Sequence, residues 1–174
     1  SPPSPPAPPG PPPSLPSPPL PPPAPPPCVV ELERVMVLGT SGAVRAEQSS
    51  LLAFAREMVA QFTVDSAVGA QIGIVEFSND ALTLTPLTGD VQAVWSAIDR
   101  ASAAGGGTSV SDGLALGMSV VNGAAARAGV PRTILLLTDG VQTVDGNDAT
   151  AIAQASVVKA DGISIVAVGC GGRS

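Results

Sequence analysis

Residues 34–44 read RVMVLGTSGAV, a short apolar run that ends in Gly-Thr-Ser-Gly just ahead of a helical pattern. This order is typical of a buried parallel strand, a tight turn and the start of a helix. In an open α/β sheet, ligands bind in the crevice outside the carboxyl ends of such strands. The residues that follow this strand are therefore the first place to look for a functional site.

Two later stretches end in a similar way. Residues 105–109 read GGGTS and open a predicted helix, and residues 134–140 read ILLLTDG, a second apolar strand with a carboxylate at its tip. Together the three stretches predict that Ser41, Thr108 and Asp139 share one crevice. All three side chains are oxygen donors, which a hard divalent cation prefers.

The order of these motifs resembles the von Willebrand factor A domain. In that family the first loop reads Asp-x-Ser-x-Ser, and a Gly-Gly-Thr loop and a Thr-Asp-Gly loop complete a Mg²⁺-binding adhesion site. Here the two later motifs are intact, but Gly39 and Ala43 replace the first-loop Asp and the second Ser. The resemblance implies a degenerate site in which Ser41, Thr108 and Asp139 are the remaining metal ligands and Mg²⁺ or Mn²⁺ would bind weakly.

The same three residues also have an interpretation that needs no metal. Ser41 would bond the turn amides around Gly42, Thr108 would cap the following helix, and Asp139 would accept backbone N–H bonds and tie the loops together. The missing first-loop carboxylate favours this interpretation, because losing one of two anionic groups beside a dication should cost several kcal/mol. We therefore expect no functional cofactor.

Strands and helices alternate along the rest of the chain. This predicts an α/β fold with a doubly wound, mostly parallel sheet, helices on both faces and one antiparallel edge strand. Pro86 is expected to end that edge strand, Asp90 to cap the next helix, and Gly113 and Gly117 to let a helix approach the sheet closely. The predicted strands are 33–38, 71–77, 81–85, 132–138 and 163–168. The predicted helices are 45–62, 91 onward, a helix capped by Ser109 or Ser111 that runs to about 127, and 149–160.

Composition divides the chain into two parts. Eighteen of the 20 prolines fall in residues 1–27, and all charged residues follow them, so the net charge of −6 belongs to a domain spanning residues 28–174. An acidic surface argues against nucleic acid and anionic membranes as partners, and no apolar run reaches membrane-spanning length. The resemblance covers roughly residues 33–169 and implies further elements after the last strand, so we expect the domain to be shortened at its C-terminus.

The sequence gives no sign of catalysis. It contains no histidine, which excludes Ser-His-Asp and Cys-His machinery and the usual zinc sites within these residues. The Gly-Gly-Gly-Thr stretch lacks the Lys of a phosphate-binding loop, and Ser41 has no Gly-x-Ser-x-Gly context. We therefore expect a protein that is not an enzyme.

Residues 1–27 are expected to form polyproline II, because proline fixes φ and removes the backbone donor. Fully extended, such a segment would reach about 80 Å. It could be a passive stalk or a rod that partner domains grip, and the sequence leaves both interpretations open.

The Ser-Pro-Pro tract resembles the hydroxyproline-rich glycoproteins of plant and green-algal walls, whose prolines are hydroxylated and O-glycosylated. A Pro-rich rod joined to a von Willebrand A-like domain is most similar to volvocine algal matrix or flagellar-surface proteins, mastigonemes (flagellar hairs) among them. The resemblance makes the following prolines candidates for hydroxylation and glycosylation: Pro2, Pro3, Pro5, Pro6, Pro8, Pro9, Pro11, Pro12, Pro13, Pro16, Pro18, Pro19, Pro21, Pro22, Pro23, Pro25, Pro26 and Pro27.

Two cysteines flank the domain and are disulfide candidates. Cys28 precedes the first strand and Cys170 follows the last, at opposite ends of the predicted sheet. A strand spans roughly 17–20 Å, whereas bridged Cα atoms lie about 5.5 Å apart. We therefore expect each to pair with a cysteine outside these residues rather than with the other.

These observations predict a non-enzymatic, extracellular structural or interaction module on a proline-rich stalk. It would bind protein or glycan partners in a cell-wall, matrix or flagellar-surface assembly. The alternative is a metal-dependent adhesion domain that binds a partner's carboxylate through Mg²⁺.

Overall fold

A computed structural model describes residues 26–42, 46–102, 105–138 and 141–169. Most of the Pro-rich segment and the predicted site residues Ala43, Asp139 and Cys170 lie outside these ranges. The elements are β1 (Leu32–Gly39), α1 (Gln48–Ala60), β2 (Ala70–Phe77), β3 (Ala81–Thr88), α2 (Val91–Arg100), α3 (Val110–Val121), β4 (Arg132–Thr138), α4 (Asp148–Ala160) and β5 (Ser164–Gly169).

The five strands form one sheet in the order β3-β2-β1-β4-β5. Strands β2, β1, β4 and β5 run parallel, and β3 pairs antiparallel with β2 at one edge. This confirms the predicted fold class of a mostly parallel sheet flanked by helices. Strand β1 lies at the centre, which explains why its residues 35–38 are fully buried on both faces.

The core divides into one layer on each face of the sheet. Met36 and Leu38 of β1 point to the face covered by α1 and α2, and Val35 and Val37 point to the face covered by α3 and α4. None of the described helices has the length and apolar character that crossing a bilayer requires.

Helix α3 packs very close to the sheet, as its two glycines predicted. A Cβ added at Gly113 would lie 2.9 Å from the ring of Phe77, and one added at Gly117 would lie 2.8 Å from Cγ2 of Val37. Real Cβ atoms do not approach that closely, so both positions require glycine.

Two predicted boundaries are wrong. Strand β3 does not end at Pro86 but continues to Thr88, and the β2–β3 pairing shifts register around Ile74, opposite the proline. An edge strand tolerates proline where the missing N–H is not needed. Helix α3 ends at Val121 rather than near Arg127, because the chain turns after it and Arg127 bonds elsewhere.

The lower end of the sheet, where the parallel strands begin, holds a buried ion pair. Glu33 is fully buried, and its Oε1 accepts hydrogen bonds from Nε of Arg127 at 2.7 Å and from the Arg127 backbone N–H at 3.2 Å. Arg127 Nη2 also donates to the carbonyl of Gly69 at 2.9 Å. This pair fixes the loop after α3 to β1 across 94 residues of sequence.

Candidate functional site

The predicted crevice would lie at the upper end of the sheet, where the parallel strands end. Ser41 follows β1 and Thr108 precedes α3, and both are buried, 1% and 4% exposed. The Gly42 N–H donates to the carbonyl of Gly106 at 3.3 Å. The structure therefore brings the first loop and the Gly-rich loop together as predicted. The third predicted residue, Asp139, lies outside the described ranges.

Among the described residues, the Ser41 hydroxyl makes none of the predicted bonds to the turn amides. Among the residues that the structure describes, its Oγ has no hydrogen-bond partner although it is buried. The neighbouring Thr40 fastens this loop instead, since its Oγ1 donates to the carbonyl of Phe77 at 3.1 Å and its backbone N–H donates to the same oxygen at 2.8 Å. Ser41 is thus a buried oxygen available to a further donor or ligand.

Thr108 is held through its backbone rather than acting as a helix cap. Its N–H donates to Oγ1 of Thr143 at 2.8 Å, and its carbonyl accepts the Thr143 N–H at 2.9 Å. The residue at the start of α3 is Ser109, whose side chain makes no capping bond. The preceding Gly107 donates its N–H to Oδ1 of Asn79 at 2.7 Å, which ties the Gly-rich loop to the end of β2.

Gln142 connects three elements at this end. Its Oε1 accepts the backbone N–H of Ser111 at 3.1 Å, and its Nε2 donates to Ser111 Oγ at 2.7 Å and to the carbonyl of Val144 at 2.8 Å. Its own N–H donates to Asp148 Oδ1 at 3.1 Å, at the start of α4. This buried amide is the helix-end partner that the sequence interpretation assigned to Thr108.

Sequence reasoning missed Asn79, Gln142 and Thr143. A signal for them exists, because each follows the end of a parallel strand, where polar residues gather at one edge of the sheet. That signal indicates the location but does not reveal which loop amides each residue would bond.

The acidic segment before α4 forms a helix start. Asn147 caps α4 by accepting the Ala149 N–H at 2.9 Å, and Thr150 completes a capping box. Asp145 is exposed in a left-handed turn with φ of 58°. Among the described residues, no three His, Cys, Asp or Glu side chains gather closely enough to hold a metal ion.

The position of the family's first-loop carboxylate is crowded. A Cβ added at Gly39 would lie 3.2 Å from the carbonyl of Leu137 and 3.3 Å from both the Phe77 ring and Thr138 Oγ1. The described donors of the crevice, Ser41 and Thr108, are neutral hydroxyls. These donors do not by themselves fit a hard dication, which needs carboxylate charge.

Cys28 lies at the lower end of the sheet, exposed and not part of a disulfide among the described residues. It forms a β-bridge with Phe62, just after α1. Gly169, the residue before Cys170, pairs with Thr138 at the upper end. Since Cys170 lies outside the described ranges, pairing with external cysteines stays a prediction.

A family model of the von Willebrand factor type A domain matches residues 35–174. No curated protein matches the chain. Among solved structures, an aerotolerance-related membrane protein from Bacteroides fragilis is similar with a TM-score of 0.65 and 24% identity, over 80% of this chain and 68% of that one.

Two further structures come from extracellular contexts. Proximal thread matrix protein 1 from the mussel byssus, solved with a zinc-occupied metal-ion-dependent adhesion site, has a TM-score of 0.70 and 23% identity over 82% of this chain and 39% of that one. The pilus adhesin SpaC from Lactobacillus rhamnosus GG has a TM-score of 0.65 and 18% identity over 81% and 24%. At these identities the likeness establishes the fold alone, and this chain spans well under half of either protein.

Proposed function

Because the chain belongs to the von Willebrand factor type A domain family, we propose that it is a non-enzymatic, extracellular structural or interaction module. The observation that carries this proposal is the network of amide and hydroxyl hydrogen bonds among the described loops at the upper end of the sheet. Gln142, Thr143 and Asn79 fix the loops there through amide and hydroxyl bonds, which supports a preformed binding surface.

We further propose that the module works on a proline-rich stalk in a cell-wall, matrix or flagellar-surface assembly, such as a mastigoneme. The Ser-Pro-Pro tract of residues 1–27 supports this setting. Protein or glycan components of that assembly would be its partners. Hydroxylation and O-glycosylation of the prolines are part of the same proposal.

Adhesion of microspheres coated with the whole chain to purified hydroxyproline-rich glycoprotein tests this function. We expect adhesion that persists in EDTA, because amide and hydroxyl bonds fix the described upper-end loops. Beads coated with a Gln142→Ala variant should adhere less, since the amide positions the loops. Absence of adhesion in every buffer would contradict the proposed setting, and loss of adhesion in EDTA would favour the alternative below.

The alternative is metal-dependent adhesion, and the buried, unpartnered Oγ of Ser41 is the observation that favours it. Ser41, Thr108 and Asp139 would then hold Mg²⁺ or Mn²⁺, and a partner's carboxylate would supply the charge that Gly39 lacks. A bound dication there would offer an open coordination position to that carboxylate.

Titration calorimetry with Mg²⁺ and Mn²⁺ separates the two functions. If the site is degenerate, the wild-type chain shows no submillimolar binding, whereas Gly39→Asp combined with Ala43→Ser restores it. A Gly39→Ala variant is the matched control for crowding at this position. Submillimolar binding by the wild type that Ser41→Ala abolishes would instead establish the alternative.

A further inference from the structure

Asn122 lies where three elements meet at the lower end of the sheet. It follows the last residue of α3, and its Nδ2 donates to Oδ2 of Asp161, just after α4, at 2.7 Å. Its Oδ1 accepts a hydrogen bond from Nη1 of Arg132, the first residue of β4. Arg132 Nη2 also donates to the carbonyl of Asp161 at 2.8 Å. These three side chains form a clasp that joins the ends of α3 and α4 to the start of β4.

The residue after Asn122 distinguishes it from the other asparagines of the chain. Asn122 is followed by glycine, whereas Asn79 and Asn147 are each followed by aspartate. Glycine has no Cβ to hinder attack by its own backbone nitrogen on the preceding side chain. Asn122 is also exposed, so water and hydroxide reach it. An exposed Asn-Gly pair is the arrangement most prone to spontaneous deamidation.

Deamidation at such a pair needs neither an enzyme nor an oxidant. The Gly123 nitrogen bonds to Cγ of Asn122, and its proton leaves with the side-chain nitrogen as ammonia. The two residues thereby close a succinimide ring, which one water molecule opens to aspartate or isoaspartate. The net reaction consumes one water, releases one ammonia and turns a neutral amide into a carboxylate.

Hydrogen bonds hold the reacting groups apart in the folded chain. The attacking Gly123 N–H donates to the carbonyl of Val120 at 3.1 Å, and the clasp holds Nδ2 and Oδ1 of Asn122. These bonds must open first, because the Gly123 nitrogen has to lose its proton and the Asn122 side chain has to turn towards it. The product replaces the Nδ2 donor with a carboxylate facing that of Asp161, and like charges repel.

We propose that Asn122 is a site of spontaneous deamidation, that the clasp with Arg132 and Asp161 sets its rate, and that the product loosens the clasp. The change is one-way, because ammonia is lost to the solvent. It alters the junction of α3, α4 and β4, at the end of the sheet opposite the upper-end loops. The inference therefore stands independently of the proposed function.

Peptide mapping by mass spectrometry, after incubation of the whole chain at mildly alkaline pH, tests this proposal. We expect aspartate and isoaspartate to accumulate at position 122 but not at Asn79 or Asn147. Asp161→Ala should speed the reaction about tenfold, because it removes a hydrogen bond to a charged group that otherwise has to open.

The matched control is Asp99→Ala, which breaks an exposed ion pair with Arg56 away from the clasp and should leave the rate at Asn122 unchanged. Absence of product at position 122 in both the wild type and Asp161→Ala would overturn the proposal. So would a wild-type rate in Asp161→Ala. An equal acceleration by Asp99→Ala would trace the effect to general destabilisation and would also overturn it.

Asn122→Asp reproduces the charge change of the reaction and tests its consequence. We expect amide hydrogen exchange at the end of α3, including the Gly123 N–H, to quicken severalfold, because the new carboxylate faces Asp161. Asn79→Asp adds the same charge at the upper end of the sheet and should leave exchange at the end of α3 unchanged. Wild-type exchange there in Asn122→Asp would overturn the claim that the product loosens the clasp.

Discussion

The two ends of the sheet bond polar groups beside the buried core through different kinds of side chain. The lower end uses ionised groups, with the fully buried Glu33 bonded to Arg127. The upper end uses hydroxyls and amides, with Gln142 and Thr143 bonding loop backbone. In an open α/β sheet the upper end is where ligands bind, so the buried ion pair of Glu33 and Arg127 lies at the end opposite the expected site.

Arg34 and Asp65 are described residues whose pKa departs from its ordinary value. Burial lowers the pKa of Arg34, whose guanidinium lies 4.6 Å from the centre of the Phe62 ring. Backbone N–H bonds from Val68 and Ala67 lower the pKa of Asp65. Both residues lie towards the lower end. The lower end thus contains the buried ion pair, while the described upper-end loops are fixed mainly by amide and hydroxyl hydrogen bonds.

The largest effect should follow from Glu33→Ala. The substitution leaves the Arg127 guanidinium, whose side chain is 20% exposed, without its buried partner. Breaking such a pair typically removes about 3–5 kcal/mol, measurable as the free energy of unfolding in urea. The control is Arg132→Ala at the same end, where the pair with Asp161 is 32% and 38% exposed and the loss should be about 0–1 kcal/mol. Equal losses in the two variants would show that burial does not distinguish these pairs.

A smaller loss of stability is expected at the upper end from Gln142→Ala. The change leaves the Ser111 N–H and the Val144 carbonyl without their partner, and unsatisfied buried groups cost about 1–3 kcal/mol. Thermal and urea unfolding should both show the loss. Asn79→Ala is the matched control, because Asn79 is exposed and water can replace its bond to Gly107. A larger loss in Asn79→Ala would contradict the role assigned to Gln142.

The sheet could be predicted from sequence because its signals are local. Apolar runs at 35–38 and 134–137 indicate strands wherever they occur, and glycine and capping residues such as Asp90, which accepts the Gln92 N–H at 2.8 Å, mark the helices. The Gly-rich motif indicated a loop at the upper end, and this loop contacts the first loop through the Gly42 N–H and the Gly106 carbonyl. The strand was correctly predicted to lie at an edge, but Pro86 did not end it, because an edge strand tolerates a proline where the missing N–H is not needed.

The contacts that distinguish the two ends could not be predicted. Glu33 and Arg127 are 94 residues apart, and Gln142 bonds Ser111 across 31 residues. Neither pair has a spacing that a helix or strand imposes. Once the topology places them at the same edge, their bonding follows from burial, because buried donors and acceptors must be satisfied.

Ser41→Ala should have almost no effect on stability when measured in EDTA. Its Oγ is buried without a partner among the described residues, so removal relieves a desolvation cost and leaves the free energy of unfolding unchanged or raised by up to about 1 kcal/mol. The adjacent Thr40→Val is the matched control. It loses the bond to the Phe77 carbonyl and should cost about 1 kcal/mol. A clear loss in Ser41→Ala would mean that this hydroxyl is bonded after all.

The smallest effect concerns acid sensitivity, which the comparison assigns to the lower end. Asp65 Oδ1 accepts the Ala67 N–H at 2.7 Å and the Val68 N–H at 3.0 Å in the turn before β2, and these bonds lower its pKa below the ordinary 3.8. As the pH falls, the unfolded chain therefore takes up this proton before the folded chain does. The stability from this carboxylate is present above its ordinary pKa and is lost as the pH falls through the lower, folded value.

Asp65→Asn should accordingly give a shallower loss of unfolding free energy than the wild type between about pH 5 and pH 2. The backbone bonds from Val68 and Ala67 are the main cause of the lowered pKa of Asp65, and attraction to Arg127 contributes least. High salt screens exposed charges, so the difference between the two pH profiles should persist in it. Parallel pH profiles would show that Asp65 does not contribute. If high salt removes the difference between the pH profiles, Arg127 is the dominant partner of Asp65. Long-range charge, rather than the turn, would then be the source of acid sensitivity at the lower end.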